Sequence, residues 1–299
     1  MRPRRTLLAA ACCLMLCLGS RAAAGETVTL LTLNLMGAAG GSRWPERAAA
    51  LTDYLATRSG LPDLLFFQEG YGGPWSRLLH GGDTLEELAR RLRARGHPYK
   101  AVSRFCFWET RPFSHYRIGI VSRHPPVAVR ERTVSGPGAD PRGVAAAVLE
   151  LPRLGRVVAA SVHLSPRGPE AGRLAQLTQV LALLAELARE YGAALRILAG
   201  DLNTAPRPDH PLLQELAARG WVDTFAAARP GAPGATFRVP GNPYTRSPGP
   251  PVRIDYIFMK GEGVAVEESR VVLDGRDGPC VSDHAGVLTR LRLSAPPPP

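Results

Sequence analysis

Polar residues of a few chemical kinds recur at the C-terminal ends of otherwise apolar strands. They are Asn34 in LTLNL, Glu69 in FFQEG, His163 in SVHLS, Asp201 and Asn203 in LAGDLNTAP, Asp255 in RIDYIF, and Asp283 with His284 in SDHAG. Carboxylates and amides offer hard oxygen ligands to divalent cations, and imidazoles transfer protons near neutral pH. A carboxylate entering an apolar interior is costly unless it is paired or metal-bound. A single such residue reads as a satisfied buried group, and two or three read as turn formers. The whole set at strand ends exceeds what turn chemistry explains.

Ser282, Asp283 and His284 also carry the residue types of a serine-hydrolase charge relay, set side by side. Neighbouring side chains in extended chain point to opposite faces, so Asp283 cannot orient His284 while both face one substrate. No G-x-S-x-G stretch supplies the sharp nucleophile turn. Ser282 therefore reads as a turn or supporting hydroxyl, and Asp283 and His284 must find partners elsewhere in the chain.

The elements that position these residues are legible in outline. TVTLLTLNL (27–35) and PDLLFFQE (62–69) read as buried strands, with a helix opening at Pro45 and stopped by Gly60 between them. Asp83 with Glu86 caps a helix that ends at Gly96, whose arginine cluster reads as a solvated face. From 99 to 163 five strand-like stretches separated by Pro and Gly read as a meander. A long helix follows from Pro169 to about Tyr191, with Leu174, Leu177, Leu181, Leu184 and Leu187 as its apolar stripe. Strand ALRILAGDL, a short helix near 211–219, a Pro/Gly-rich loop (229–251), strand RIDYIFMK and two strands around 264–273 and 285–293 complete the chain. There is no internal repeat and no linker, so one α/β domain is expected.

Residues 1–24 combine Arg2, Arg4 and Arg5, an apolar run from Leu7 to Leu18, and Ala22-Ala23-Ala24. This reads as a signal peptide, because the run is shorter than the roughly 20 residues a membrane-spanning helix needs. An exported protein, secreted or extracytoplasmic, is expected, with the Sec and twin-arginine routes left open. The remaining residues hold 33 Lys and Arg against 26 Asp and Glu, a net charge of +7. That favours an anionic partner: nucleic acid, a phospholipid surface or a phosphorylated small molecule. Cys106 and Cys280 lie outside the leader and are free to pair or not. His80, His97, His124 and His210 lack motif support and read as surface residues.

The segments LNL, QE, HL, GDLN, IDY and SDH, in this order across about residues 29–293, resemble the motif set of the endonuclease/exonuclease/phosphatase family. Arg173 and Gln176, in the helix after His163, fit the same pattern. The resemblance implies a four-layer αββα sandwich of two mixed β-sheets with flanking helices, spanning residues 25–294 ahead of a Pro tail at 295–299. It implies a Mg²⁺ site (Mn²⁺ or another divalent cation being alternatives) at Asn34, Glu69 and Asp283. It gives Asp255 the orientation of His284, Asp201 and Asn203 the attacking water and a phosphoryl oxygen, and His163 the phosphate. Tyr116, in SHYRIGIVSR, stands where the family places a Tyr or Glu beside the second histidine, with His115 and Arg117 as equal alternatives.

The activity implied is hydrolysis of a phosphodiester by water in line with the leaving group. ATFRVPGNPYTRSPGPPVRIDYIFMKG resembles the neutral sphingomyelinase branch of the family, which favours phospholipid head groups and peripheral membrane contact by a monomer. There is no clear apolar hairpin for such contact; RFCFW (104–108), with Trp44 and Trp75, is the candidate, although its alternating apolar residues read more simply as a half-buried strand. A secreted endonuclease on nucleic acid is the alternative, supported by charge alone. A catalytically inactive binding protein on the same fold is a remote third reading.

Overall fold

A computed structural model describes residues 27–37, 43–57, 60–72, 82–108, 115–152 and 154–293, without the side chains of 104–108 and 115. The expected leader, the Pro tail, Trp75, His80 and any pairing by Cys106 lie outside the described residues.

Among the described residues, twelve strands and five helices follow one another. The first half runs β1 (Thr27–Asn34), α1 (Trp44–Thr57), β2 (Leu64–Tyr71), α2 (Thr84–Arg93), β3 (Lys100–Trp108) and β4 (His115–Ser122). The second runs β5 (Pro126–Gly136), β6 (Ala139–Leu151), β7 (Gly155–His163), α3 (Glu170–Tyr191), β8 (Leu195–Asp201), α4 (Pro211–Ala218), β9 (Val222–Asp223), α5 (Thr224–Ala228) and β10 (Asp255–Lys260). β11 (Val264–Val272) and β12 (Gly286–Leu293) then return to the first half.

The strands form two six-stranded mixed sheets, ordered β11-β12-β1-β2-β4-β3 and β5-β6-β7-β8-β10-β9. Each has one parallel pair at its centre, β1–β2 or β7–β8, joined by a helical crossover through α1 or α3. Because alternate residues of a strand face opposite sides, the central strands supply two cores each. Leu30, Leu64, Phe66 and Ile120 of sheet one pack against Leu149, Val157, Ile197 and Ile257 of sheet two. On the outer face of sheet one, Leu31, Leu33, Leu65 and Phe67 meet Leu51 and Leu55 of α1 and Leu85, Leu88 and Leu92 of α2. On the outer face of sheet two, Val158, Ala160 and Leu198 meet Leu177, Val180 and Leu184 of α3 and Leu212 and Leu216 of α4. Four layers result, helices–sheet–sheet–helices, as the resemblance implies.

The sequence expectations fare unevenly in detail. Asp83 caps α2 by accepting hydrogen bonds from the Leu85 and Glu86 amides, while Arg90 and Arg93 face solvent. The expected meander is divided between the sheets: β3 and β4 pair in sheet one, β5, β6 and β7 in sheet two. The chain changes sheet at Arg123–Pro125, where Pro125 offers no backbone donor to a ladder. α3 buries Val180 and Leu183 beside the expected leucines, while Leu174 is only half-buried, so its apolar face is broader than one stripe. His210 is not a surface residue: it is buried at the start of α4, where Nδ1 accepts the Leu212 amide and Nε2 lies 3.0 Å from Glu170 Oε1. Trp44 is also unsuited to membrane contact, being buried with Nε1 donating to Glu87 at 2.8 Å. Among the described residues, no helix is long and apolar enough to cross a membrane.

Candidate active site

Strand register collects the chemistry. The parallel pairing of β7 with β8 sets His163 beside Asp201, and the antiparallel pairing of β8 with β10 sets Asp201 beside Asp255. A one-residue slip in either ladder would turn these side chains to the opposite face. Phe237, in the Pro/Gly-rich loop, bridges to Val252 and to His284, which brings the segment before β12 against the start of β10. Asp255, Asp283 and His284 thus stand at or before the N-terminal ends of strands, not at C-terminal ends as the sequence suggests, because antiparallel strands run the opposite way past the site. Thus Asp201, Asp255 and His284 each offer one donor atom within 4.8 Å of the others, a grouping that can hold a metal ion.

Local backbone features aim the remaining groups. In β2, Gln68 and Glu69 stand opposite the single residue Ile118, so a β-bulge interrupts the ladder. Glu69 sits there at φ +52°, a left-handed conformation rare for a non-glycine residue and often found at functional sites. Gly200 has φ +144°, and a Cβ on it would fall 2.0 Å from the Val162 carbonyl oxygen. The glycine of GDLN therefore lets β8 lie against β7 immediately before Asp201. Asn203 is also left-handed, φ +50°, a conformation Asn tolerates. Its amide N–H donates to Asp201 Oδ1 at 2.8 Å and its Nδ2 to the Leu164 carbonyl at 3.0 Å.

Asn34 joins the two sheets at the site. Its Nδ2 donates to Glu69 Oε1 and to Asp201 Oδ2, both at 3.1 Å, while its Oδ1 accepts from the Met36 amide at 2.9 Å. In this arrangement Asn34 holds two carboxylates together, and its oxygen accepts from the backbone. Lower down, Gln68 Nε2 donates to Ser161 Oγ at 3.0 Å, a second buried polar link between the sheets.

Asp255 is fully buried; its Oδ2 accepts from Thr236 Oγ1 at 2.6 Å and lies 2.8 Å from His284 Nδ1. Burial by itself would lower the His284 pKa, but Asp255, Asp201 and Asp283 outweigh it and raise the imidazole to about 10. His284 Nε2 lies 3.9 Å from Asp201 Oδ2. Burial and the neighbouring charge of Asp255 push the Asp201 carboxyl up. His163 goes the other way: burial, then Arg142 and His284, hold it well below an ordinary imidazole, so it is neutral. Its Nε2 is 3.6 Å from Asp201 Oδ2 and 3.9 Å from Glu69 Oε1, and Nδ1 has no hydrogen-bond partner among the described residues.

Glu69 is partly open to solvent, and its pKa is raised by burial and by Asp283 against the opposing Asn34 hydrogen bond. Asp283 is half-buried, and Ser282 Oγ donates to it at 3.3 Å and accepts the His284 amide at 3.2 Å. Ser282 is thus the supporting hydroxyl of a turn. Tyr116 stands opposite Tyr71 in the ladder and stacks on it with ring centroids 6.3 Å apart, both packed against Gly37. Gln176 is structural: Oε1 accepts the Ser165 amide at 3.0 Å and Nε2 donates to the Asp140 carbonyl at 2.7 Å. Arg173 Nη1 donates to the Gly168 carbonyl at 3.3 Å.

Sequence reasoning missed four participants. Thr236 anchors Asp255, Phe237 covers His284 with ring centroids 4.7 Å apart, and Arg142, 4 % exposed, bears electrostatically on both Glu69 and His163. Asn242 Nδ2 donates to the Ser282 carbonyl at 2.8 Å. Thr236, Phe237 and Asn242 lie in the irregular loop whose stretch resembles the sphingomyelinase branch, which gave none of them a role, and Arg142 opens a buried run of β6 without a motif.

Known proteins resemble this chain in sequence and in fold. The profile of the Endonuclease/Exonuclease/phosphatase family matches residues 31–284. The Escherichia coli (strain K12) protein YbhP, itself described as uncharacterized, is 31 % identical over 185 residues, which are 61 % of this chain and 65 % of that protein. The match thus spans just under two thirds of that relative's length. A family protein from Leptotrichia buccalis superposes with a TM-score of 0.70 at 18 % identity, over 89 % of this chain and 100 % of the other. A family structure from Beutenbergia cavernae gives 0.65 at 26 % identity, over 90 % and 72 % respectively. With both sheets, the motif order and the profile in agreement, the chain belongs to the endonuclease/exonuclease/phosphatase family, whose members are hydrolases acting on phosphoester bonds.

Proposed function

We propose that this chain is an exported, monomeric, divalent-cation-dependent phosphodiesterase that acts on phospholipid head groups. The observation that carries the catalytic part is the buried Asp255–His284 pair at 2.8 Å, facing Asp201 in a site that Glu69, Asn34 and His163 complete.

Glu69 and Asp283 fit a hard cation such as Mg²⁺. Both are oxygen donors, both have access to solvent for the waters such an ion retains, and Asp283 bears on Glu69 as a like charge. When bound, the cation neutralises charge on the substrate phosphate. The trio Asp201, Asp255 and His284 also meets the spacing for a metal, but all three are buried and Asp255 Oδ2 already faces His284 Nδ1. We assign that trio to proton handling. Asp201, its carboxyl raised toward neutrality, accepts a hydrogen bond and then the proton from the attacking water; Asn203 fixes the Asp201 carboxylate through its amide. The water oxygen bonds to phosphorus as the ester P–O bond opposite breaks. His284, held protonated by Asp255, supplies positive charge and a proton on the side of the developing oxyanion. Neutral His163 and cationic Arg142 supply further donors to the phosphoryl oxygens.

The lipid reading is supported by the leader-like residues 1–24, the net charge of +7 on the remainder and the Pro/Gly-rich loop docked on His284. The same charge favours nucleic acid as a second substrate class. A panel of sphingomyelin and other choline lipids in vesicles, supercoiled DNA and RNA, each with Mg²⁺ or EDTA, separates them. Release of phosphorylated head group at a rate well above nucleic-acid cleavage supports the lipid reading, and the reverse order replaces it with a nuclease.

A further inference from the structure

Arg47 projects from α1 into the base of the site and is 1 % exposed. A buried guanidinium is costly unless its donors are satisfied, and here they are spread over three carbonyls on two separate segments. Nη1 donates to Leu35 and to Val281, and Nη2 to Gly37, each at 2.8 Å. Its planar group is flanked by Trp44, 5.3 Å from the ring centre, and by Tyr244 at 5.7 Å.

The two segments carry opposite halves of the site. Residues 35–37 follow β1: the Leu35 amide donates to the Gln68 carbonyl beside Glu69, and the Met36 amide holds Asn34, which in turn holds Glu69 and Asp201. Val281 precedes Ser282, Asp283 and His284, and the Ser282 carbonyl is tied to Asn242 of the Pro/Gly-rich loop. That loop reaches Arg47 as well, through Tyr244, whose amide is fixed on Asn242 Oδ1 at 2.9 Å. No direct hydrogen bond between the Glu69 side and the Asp283 side is needed when one rigid fork spans both.

We infer that Arg47 is a positioning residue that sets the spacing of Glu69 and Asp283 for a shared divalent cation, by clamping the segment after β1 to the segment before β12. The inference rests on the cation site proposed above. A lysine at this position keeps a charge but has a single compact donor group, which cannot reach three carbonyls in two directions. Outer partners of metal ligands typically change metal affinity or activity about 10–100-fold when altered.

The test compares wild type, Arg47→Lys and His284→Ala in Mg²⁺ titration calorimetry, in Mg²⁺ activation of bis-p-nitrophenyl phosphate hydrolysis, and in thermal melting with EDTA. Arg47→Lys, folded at the assay temperature, is expected to bind Mg²⁺ about 10–100-fold more weakly. Its rate climbs toward that of wild type as Mg²⁺ is raised. His284→Ala binds Mg²⁺ like wild type but turns over slowly at every concentration. A merely structural role for Arg47 lowers the melting temperature and leaves the Mg²⁺ constants unchanged, which overturns the inference. A wild type that neither binds nor requires Mg²⁺ overturns the cation site itself. If Arg47→Lys does not fold, Asn242→Ala removes the other tether on the Asp283 segment and carries the same expectation and the same refuting result.

Discussion

Asp255→Asn changes a charge while keeping the shape of a fully buried side chain. The carboxylate is the largest influence raising His284, which reaches about 10 from an ordinary value of 6.5 although burial opposes the rise. That difference, at 1.36 kcal/mol per pKa unit, corresponds to a coupling on the order of 5 kcal/mol among His284 and its acidic neighbours. A group whose pKa is raised on folding contributes stability that is fully present below its unfolded value and is lost as pH rises through the folded one. In EDTA, wild type should therefore lose stability between about pH 6.5 and 10, and Asp255→Asn should lose much less. The Asp201 shift has the same sign, but its window lies lower, between 3.8 and about 7, so the upper window reports His284. Urea unfolding at half-unit pH intervals gives the difference curve, in which titrations common to both proteins cancel. The neutral imidazole of the variant also lacks the charge that His284 brings to the reaction, and kcat/KM should fall roughly 10²–10⁴-fold at pH 7. A flat difference curve across pH 6.5–10, together with a rate within tenfold of wild type, would refute this account of the pair.

Three further outcomes are expected. Thr236→Val removes a hydroxyl that donates to Asp255 and accepts from the Ile254 and Asp255 amides, so denaturation should show a loss of about 1–3 kcal/mol. Gly200→Ala places a methyl 2.0 Å from the Val162 carbonyl and should abolish activity by displacing Asp201; Gly192→Ala, left-handed but open to solvent, should cost only about 1–2 kcal/mol of stability by the same denaturation assay. Glu69→Gln should weaken Mg²⁺ binding in calorimetry by at least about tenfold while leaving the EDTA melting temperature close to wild type.

The layers of this fold were readable because buried strands and amphipathic helices each declare a period. Asp83 and Gly96 marked the ends of α2 for the same reason: caps and left-handed stops act through local backbone chemistry. Sheet membership was not local. β4 and β5 are separated by three residues yet pair in different sheets, a choice made by the packing of distant strands. His210 was misread because its burial depends on Glu170, forty residues earlier and adjacent only after α3 and α4 pack. The candidate residues stand out in the sequence by type and by their places beside apolar runs, but the register that sets His163, Asp201 and Asp255 side by side is a non-local pairing that no stretch of sequence declares. Their supports do not stand out: Thr236, Phe237, Asn242 and Arg142 sit in stretches whose composition suits many loops or strands. Asn34 adds a contact that only the folded chain declares: the resemblance gives it a place at the cation site, and in the structure its amide joins Glu69 to Asp201 across the two sheets.

The central claim is that Asp255 and His284 drive a cation-dependent hydrolysis of phosphodiesters. Its most direct test is the initial rate of bis-p-nitrophenyl phosphate hydrolysis by residues 25–299, measured for wild type in Mg²⁺, for wild type in EDTA, and for His284→Ala in Mg²⁺. The account predicts turnover only in the first, with the other two lower by roughly 10²-fold or more. Undiminished turnover in EDTA, or by His284→Ala, would contradict it.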